Sequence, residues 1–446
     1  MGFLLTVIYI SLALLSPADL FPSLAEYRVQ VVFAMAALLF SLPGLLSGSF
    51  FRTPQMYLLT GLFGAIFLSQ AIGGHWPGGG LVAISEFLPS AIVFYLIILN
   101  CRSWGRLEVL AVVIAAIATF YVVQGARAYF ANDVGSAYLF TGPVSNSDDA
   151  EMGIARIRGL GVLHDPNDLA QFLVMTIPFF WMRWQAGRKL RNVMLVLVPT
   201  SFLVFGIYLT HSRGAMLALL VILLLGLRDR LGLMGSIVIV AAALAVFLAM
   251  DFSGGRDISL EAGQDRMEFW ANALQLFKSS PVFGIGYENF TGENGGHTAH
   301  NSFVLCLAEL GIIGYSLWMG LLVFTAAGLN SVVSSKRRGR LPEEGTTLQN
   351  VEIIEVNGEA ARIDRWAKTL LIAMAGFLAA AWFLSRAYTP SLYLLLGMSA
   401  AFLSLTAGET EPIARQPSAR LVALTGMAGV GVIAFLYAWL RIRSAL

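Results

Sequence analysis

The chain has 446 residues, of which 57% are apolar and only 13% are charged. Soluble proteins carry about 25% charged residues, and so few charges cannot cover a water-exposed surface of this size. The composition therefore excludes a soluble enzyme and predicts a protein that crosses the membrane many times. The net charge of +2 argues against nucleic acid as a partner. The two cysteines, Cys101 and Cys306, belong to apolar runs, which argues against a disulfide or a metal cluster.

Apolar segments recur along the whole chain. A membrane-spanning helix needs about 20 mostly apolar residues, and three of the segments are short, so we expect twelve or thirteen transmembrane helices in an all-α polytopic membrane protein. No repeat of fixed period is visible, and one helical bundle is the simplest architecture. The apolar cores lie at residues 3–15, 29–47, 56–72, 81–99, 107–125, 167–184, 191–210, 214–228, 233–250, 302–327, 367–384, 390–406 and 419–441.

The Lys and Arg residues predict which loops face the cytoplasm, because cytoplasmic loops are enriched in both. With the N-terminus inside, most of these residues fall in cytoplasmic segments, including 328–366, which we expect to be a solvated linker. Residues 126–166 and 251–299 then lie outside. Two arginines follow the last apolar core on the outer side, which leaves open whether residues 419–441 cross fully.

The outer loop 251–299 is too rich in aromatic residues for a simple tether, and a loop of its length is uncommon unless it is functional. Apolar residues at helical spacing predict an amphipathic helix over residues 264–277, lying on the outer membrane face. Arg266 lies near the start of this helix and off its apolar stripe, so a surface salt bridge and a functional role are both open. The stripe consists of Met267, Trp270, Leu274 and Phe277.

An arginine also stands where the eighth apolar core begins, in the sequence Thr-His-Ser-Arg-Gly-Ala. Ser212 is placed to cap a helix, which puts Arg213 in the first turn. A cation there opposes the helix dipole, unless a bound anion sits among the free backbone N–H groups and the guanidinium. The alternative is an interfacial arginine that meets lipid phosphates. His211 faces the same choice between structure and site.

The segment Gly-Gly-His-Thr-Ala-His-Asn-Ser-Phe leads directly into the tenth apolar core. His300 therefore lies at a helix N-terminus, a position that disfavours the imidazolium and favours the neutral ring that a general base needs. His297 and His300 could instead suggest zinc, but zinc requires a third and usually a fourth ligand. The outer loops contain no HExxH motif or similar cluster, so we expect neither a metal nor another cofactor.

By this topology Arg213, Arg266 and His300 lie on the same side of the membrane. Two guanidinium groups and one neutral imidazole suit a site that holds a diphosphate leaving group while it deprotonates an attacking hydroxyl. A sugar linked to a polyprenyl diphosphate is a donor of that kind. Weaker candidates for the same site are Arg158, His297, His211, Asn301 and Glu309, the last because an intramembrane carboxylate needs a partner.

The tenth core also carries a motif. His300 and Asn301 are followed by nine residues, Gly311, two residues and Gly314, which resembles the signature of bacterial O-antigen ligases. The resemblance extends over residues 155–405, within the wider superfamily of O-antigen ligases and polymerases. Its other stretches are Asp165-Pro166-Asn167, Ser212-Arg213-Gly214, and Arg266 with Trp270, Pro281, Gly284, Gly286, Asn289 and Phe290.

This resemblance implies a C-type glycosyltransferase fold in the bacterial inner membrane, with its active face in the periplasm. It implies metal-independent, inverting transfer of a glycan from undecaprenyl diphosphate to an acceptor hydroxyl. His300 would be the base, and Arg213 and Arg266 would hold the diphosphate. The acceptor stays open: lipid A-core for a ligase, another lipid-linked repeat for a polymerase, or a protein hydroxyl.

The resemblance also suggests a division of the chain. Residues 1–154 would hold N-terminal helices and the first periplasmic loop, 155–405 the ligase- or polymerase-like core, and 406–446 a C-terminal transmembrane segment. The alternative function is a transporter or flippase of lipid-linked glycans without transferase activity. That reading predicts charged residues near the membrane midplane and broken helices in paired repeats.

Overall fold

The computed structural model describes residues 1–46, 53–141, 154–249, 264–338, 350–406 and 418–444. Almost all of these residues are helical, and the described strands form only one two-stranded sheet. The prediction of an all-α polytopic membrane protein is therefore confirmed.

The N-terminal part consists of helices and one small hairpin. Strand β1 (Leu139–Thr141) pairs antiparallel with β2 (Ala155–Ile157), with Phe140 opposite Arg156. This hairpin lies within residues 126–166, which the sequence predicts as a loop. The helices before it are α1 (Gly2–Leu15), α2 (Ser23–Glu26), α3 (Val29–Leu46), α4 (Pro54–Leu68), α5 (Gly79–Asn100) and α6 (Trp104–Phe130).

The remainder is helical as well. A π-helical turn, Ser69–Gly73, extends α4, and another, Val193–Leu197, joins α8 to α9. The helices are α7 (Pro166–Trp181), α8 (Lys189–Asn192), α9 (Val198–Leu209), α10 (Arg213–Ala249), α11 (Gln264–Ser279), α12 (Phe290–Glu293), α13 (Ser302–Arg338), α14 (Asn350–Ala381), α15 (Pro390–Thr406) and α16 (Ala419–Ser444).

Every one of the thirteen apolar cores falls on a helix, but fewer helices qualify as spans. Within the described residues, seven helices are long and apolar enough to cross a membrane, and three further apolar helices are shorter. Part of the difference from the predicted twelve or thirteen lies in α10, where the two predicted cores 214–228 and 233–250 are two helices that meet at Gly232 (φ 70°, ψ 176°) and form one candidate span. In addition, α1, α3 and α15 are the three shorter apolar helices, α7 has only 16 residues, and α14 is not among the seven.

The bundle is organised around α15, whose side chains are nearly all buried and which packs against α5. Helix α14 packs against both α7 and α10, and α13 packs against α4, α14 and α16. By contrast, α10 and α16 expose most of their apolar side chains, as helices that face lipid do. The packing thus places α7, α13, α14 and α15 at the centre.

Helix α13 is interrupted at Gly311, which has φ 60° and ψ −166°. Residues 281–286 pack against the interruption. The Ile285 and Gly286 amides donate to the Ala308 and Glu309 carbonyls (3.0 and 3.1 Å). On the other side of the break, the Ile312 amide donates to the Pro281 carbonyl (2.9 Å). Residues 302–310 therefore form a short half-helix, and its N-terminal end carries the predicted histidine.

The segment 328–366 differs from the solvated linker that we expected. Helix α13 continues to Arg338 and α14 begins at Asn350, so only residues 339–349 separate them, and these lie outside the described residues. Charged side chains do not prevent helix formation, and Trp366 is buried within α14. Composition alone does not reveal that two helices continue into this charged segment.

Candidate functional site

His300 lies immediately before the half-helix, in a backbone conformation with φ 50°. The chain is held on both sides of this residue. The Trp270 indole of α11 donates to the Ala299 carbonyl (3.0 Å), and Asn301 accepts hydrogen bonds from the Phe303 and Val304 amides (2.9 and 3.1 Å). Asn301 is thus the N-cap of α13, which is a structural role. Together these contacts fix where the imidazole points.

The surroundings of His300 keep its ring uncharged. Burial and, second to it, the positive charge of Arg266 lower the pKa of His300 to about 4, with smaller contributions from Arg386 and His297. The Asp165 carboxylate acts in the opposite direction. The imidazole is therefore neutral at pH 7, which is the form that can accept a proton.

The predicted amphipathic helix is α11, which runs from Gln264 to Ser279 and packs against α13 and α16. Trp270 and Leu274 of the stripe are buried, whereas Arg266 is half-buried. On the same helix, the Phe269 ring stacks on His297 (5.2 Å between centroids) and lies 6.2 Å from the His300 ring. Helix α11 therefore brings both Arg266 and an aromatic face to the histidine.

The start of α10, with Arg213, is tied to the same end of the bundle by a buried arginine of β2. Arg156 donates through Nε to the Thr210 carbonyl (2.7 Å) and through Nη2 to Asn167 at the start of α7 (3.2 Å). A Cβ on Gly214 would lie 3.0 Å from Phe383, so the first turn of α10 abuts the segment between α14 and α15.

An ion pair joins α7 to the segment between α14 and α15. The Arg386 guanidinium donates to both carboxylate oxygens of Asp168, and the Nη2–Oδ2 distance is 2.6 Å. The Arg386 amide donates to the Ser302 hydroxyl (2.8 Å), which donates in turn to the Leu384 carbonyl (2.6 Å). Arg386 therefore contacts Ser302, the first residue of α13, two residues after His300.

These contacts form a continuous series around one end of the bundle. They link the beginnings of α7, α10 and α13 with the segment 382–389 and with α11. Because Arg213, Arg266 and His300 belong to these elements, they lie at the same end of the molecule.

Two residues of this site escaped the sequence analysis, and one candidate lies elsewhere. Arg156 and Asp168 were missed, although Asp168 is a carboxylate in an apolar core and needs a partner there. Arg386, on the segment between α14 and α15, is the partner of Asp168. The Nε of Arg158 donates to the Ala137 carbonyl (3.0 Å), so this guanidinium is engaged by the segment before β1.

The other secondary candidates have structural surroundings. Glu309 is 2% exposed, its Oε1 accepts from the Phe290 amide (3.4 Å), and its carbonyl accepts from the Ser69 hydroxyl (2.9 Å). It therefore stabilises the junction between the outer loop and the broken helix. His211 is buried beside the Tyr208 ring (5.6 Å between centroids). Among the described residues, no group of three or more His, Cys, Asp or Glu side chains is arranged to hold a metal ion.

The fold and this site define a class: an integral membrane protein of many helices, with cationic side chains and a neutral histidine gathered at one end. Residues 198–319 match the family model described as O-Antigen ligase. This match confirms the predicted resemblance to the O-antigen ligase and polymerase superfamily over that segment. A search among curated proteins finds no match.

The matched segment runs from α9 to the second half of α13 and includes Arg213, Arg266, His300 and Gly311. Such a domain indicates a protein of membrane glycan assembly, a ligase- or polymerase-like glycosyltransferase that uses lipid-linked glycans. Arg156, Asp168 and Arg386 are not part of this matched segment. They reach the site only through the tertiary contacts described above.

Proposed function

We propose that the protein transfers a glycan from undecaprenyl diphosphate to an acceptor hydroxyl at the periplasmic face of the inner membrane. The observation that carries the proposal is a neutral His300 held at the end of a half-helix, with the charge of Arg266 acting on it. A neutral imidazole accepts a proton, and a guanidinium next to it stabilises an anion. An acyl- or glycosyl-transfer site needs both.

The proposed reaction is a single displacement. His300 takes the proton of the acceptor hydroxyl as its oxygen bonds to the anomeric carbon of the donor sugar. The bond from that carbon to the diphosphate breaks, and the electron pair leaves with the phosphate oxygen. Arg213 and Arg266 stabilise this developing charge, so the guanidinium groups do what a metal ion does in other transferases. Attack opposite the leaving group inverts the anomeric centre.

Transport of a lipid-linked glycan is the alternative. Helices α10 and α13 are both interrupted, which is a feature of transporters. In α13, however, the backbone amides of Ile285 and Gly286 donate hydrogen bonds to the carbonyls at the break. These carbonyls therefore cannot line a transport path. This pairing favours transfer over transport. Whether the acceptor is lipid A-core, another repeat unit or a protein stays open.

The test is transfer by purified protein in vesicles that contain a lipid-linked glycan donor and candidate acceptors. His300→Ala, Arg213→Ala and Arg266→Ala should each lower the rate about 100- to 1000-fold, the usual loss on removal of one such group. The matched controls are His164→Ala, a solvent-exposed histidine, and Arg127→Ala, an exposed arginine at the end of α6. Both should retain the wild-type rate. Wild-type transfer by the His300 variant would contradict the proposal, and glycan translocation without transfer would support a flippase.

A further inference from the structure

The end of the bundle opposite His300 contains a second cationic site. Asp168 and Met182 lie at the two ends of α7, about 21 Å apart at 1.5 Å per residue, and Asp168 belongs to the His300 end. Beside Met182 is a cavity of about 200 Å³, here named the basic pocket. Its lining includes Arg183, Trp184, Arg191, Arg362, Arg365 and Glu108.

The positive charge of the basic pocket is only partly balanced. Four arginines line it with a single carboxylate, that of the exposed Glu108. Among the described residues, neither Arg183 nor Arg365 forms a salt bridge. In the same part of the chain, the buried Nε of Arg362 has no hydrogen-bond acceptor, although its Nη2 pairs with Glu359 (2.9 Å). The pocket therefore offers charge and a hydrogen-bond donor to an anion.

A neighbouring cavity on the same face is also cationic, but its lysine is paired. It has a volume of about 460 Å³ and is also lined by charged residues. There Lys368 pairs with Asp229 (2.6 Å) and with Asp364 (3.2 Å). Arg228, Arg230 and Arg365 line this cavity as well, so the excess of positive charge extends along this face. The basic pocket is distinguished by Arg183, which also lines the apolar groove beside it.

An apolar groove begins where the basic pocket ends. This groove, about 670 Å³, is lined by α6 from Ala111 to Val123, by Phe179 and Phe180 of α7, and by Leu195 and Pro199. Arg183 lines both the groove and the basic pocket. An arginine at the junction of an apolar channel and a cationic cavity matches an amphiphile with a hydrocarbon chain and an anionic phosphate head.

We propose that the groove and the basic pocket together bind one anionic phospholipid of the leaflet opposite the His300 face. Its acyl chain would lie along α6, and its phosphate would contact Arg183 and Arg365, with Arg362 as a further donor. Charge complementarity favours a lipid with net negative charge over a zwitterionic one. Basic cavities between membrane helices bind such headgroups elsewhere. The site is separate from glycosyl transfer, because it lies at the other end of the bundle.

The test uses native mass spectrometry of the full chain in detergent with phosphatidylglycerol as the probe. Wild-type protein should retain phosphatidylglycerol and should not retain phosphatidylcholine. Arg183→Gln combined with Arg365→Gln should bind roughly 30-fold more weakly, as expected for two lost phosphate–arginine contacts. Arg188→Gln combined with Lys189→Gln removes two exposed charges from the same face outside the cavity and should bind as wild type does.

The groove has its own variant. Ala116→Trp should fill it and weaken retention of phosphatidylglycerol, whereas Val109→Trp, on the exposed surface of α6 outside the groove, should not. The phospholipid assignment is overturned if the arginine variant binds normally, if the control pair weakens binding equally, or if phosphatidylcholine binds as well. It is also overturned if inorganic phosphate alone, or undecaprenyl phosphate at equal concentration, displaces the lipid. His300→Ala should bind phosphatidylglycerol normally, so failure here is distinct from failure of the proposed transfer reaction.

Discussion

At the scale of single residues, the candidate base owes its neutral ring to its neighbours more than to its place in the chain. A helix N-terminus disfavours the imidazolium, as the sequence indicates. In the structure, burial acts first on the pKa of His300 and the Arg266 charge second. Arg266 belongs to α11, so the base and one proposed diphosphate ligand are electrostatically coupled. Phosphate binding at Arg266 would weaken that coupling and make His300 a stronger base once the donor is bound.

This coupling predicts the pH dependence. Because the folded pKa of His300 is about 4, the acid limb of a kcat/KM profile should lie near pH 4 and not near 6.5. Arg266→Gln should raise this pKa and move the limb to higher pH. The imidazole resonance that disappears in His300→Gln gives the pKa directly by NMR. A limb that stays in place in Arg266→Gln would contradict the coupling.

The same shift affects stability. The folded pKa lies below the unfolded one, so unfolding takes up a proton at this residue between about pH 6.5 and pH 4. The contribution of His300 to the free energy of unfolding is therefore complete above pH 6.5 and decreases as the pH falls toward 4. In His300→Gln this part of the pH dependence should be absent.

The Asp168–Arg386 ion pair also holds the candidate site together, because it attaches α7 to the segment that contacts Ser302. Asp168 is 3% exposed and the Arg386 side chain 35% exposed. Removal of one partner from a fully buried pair costs about 3–5 kcal/mol. In Asp168→Asn the partly exposed Arg386 can be hydrated, so this variant should lose less free energy of unfolding, about 2–3 kcal/mol. Arg386→Gln should cost more, because it leaves the buried carboxylate without its guanidinium.

Unfolding of the purified variants in denaturant tests this asymmetry. The double variant Asp168→Asn with Arg386→Gln should recover part of the loss, as a double-mutant cycle measures. Lys368→Gln is the control, because its pair with Asp229 is more than one-third exposed and should contribute less than about 1 kcal/mol. Equal costs for the exposed and the buried pair would refute the argument.

At the scale of elements, the break in α13 explains why positions 311 and 284, which meet there, are both glycine. The φ and ψ of Gly311 fall in a region open almost only to glycine, and a Cβ there would lie 2.5 Å from the Val282 carbonyl oxygen. Gly284 approaches the Glu309 backbone from the other side. The half-helix, and with it His300, is therefore positioned by backbone contacts that no side chain can replace.

The break predicts that alanine is tolerated at Gly320 but not at Gly311, although both glycines belong to α13. Gly311→Ala should lower the melting temperature and displace the half-helix, because the added methyl group meets backbone atoms and costs more than about 1–3 kcal/mol of strain. Gly320→Ala should be tolerated, because its Cβ would lie 3.2 Å from the flexible Leu58 side chain. Thermal unfolding and transfer activity measured side by side compare the two. Similar behaviour of both variants would show that the break does not position His300.

At the scale of the whole molecule, the bundle has two chemically different ends. One end gathers His300, Arg266 and the Asp168–Arg386 pair, and the other holds the basic pocket. Helices α7 and α14 join the two ends, because each runs from one to the other. A bound lipid at the basic pocket would therefore stabilise helices that also hold the candidate active site, without touching the substrate.

Much of this organisation could be predicted from the amino-acid sequence. The scarcity of charge determined that the protein crosses the membrane, and each apolar core became a helix because a buried backbone in lipid must pair its own N–H and C=O groups. The helix over residues 264–277 and the motif around His300 are local patterns of side-chain spacing, which tertiary contacts did not alter. The predicted linker over 328–366 contains the ends of α13 and α14, because charge content does not exclude helix.

What only the tertiary structure decided is which distant residues meet. Three contacts join segments far apart in the chain. They are the pair of Asp168 with Arg386, the hydrogen bond from Arg156 to the Thr210 carbonyl, and the packing of residues 281–286 against the break at Gly311. The depressed pKa of His300 follows from burial and from charges that these segments bring close. Local sequence sets the hydrophobic pattern of each helix, whereas burial and electrostatic interaction depend on distances in space, which only the packed bundle specifies.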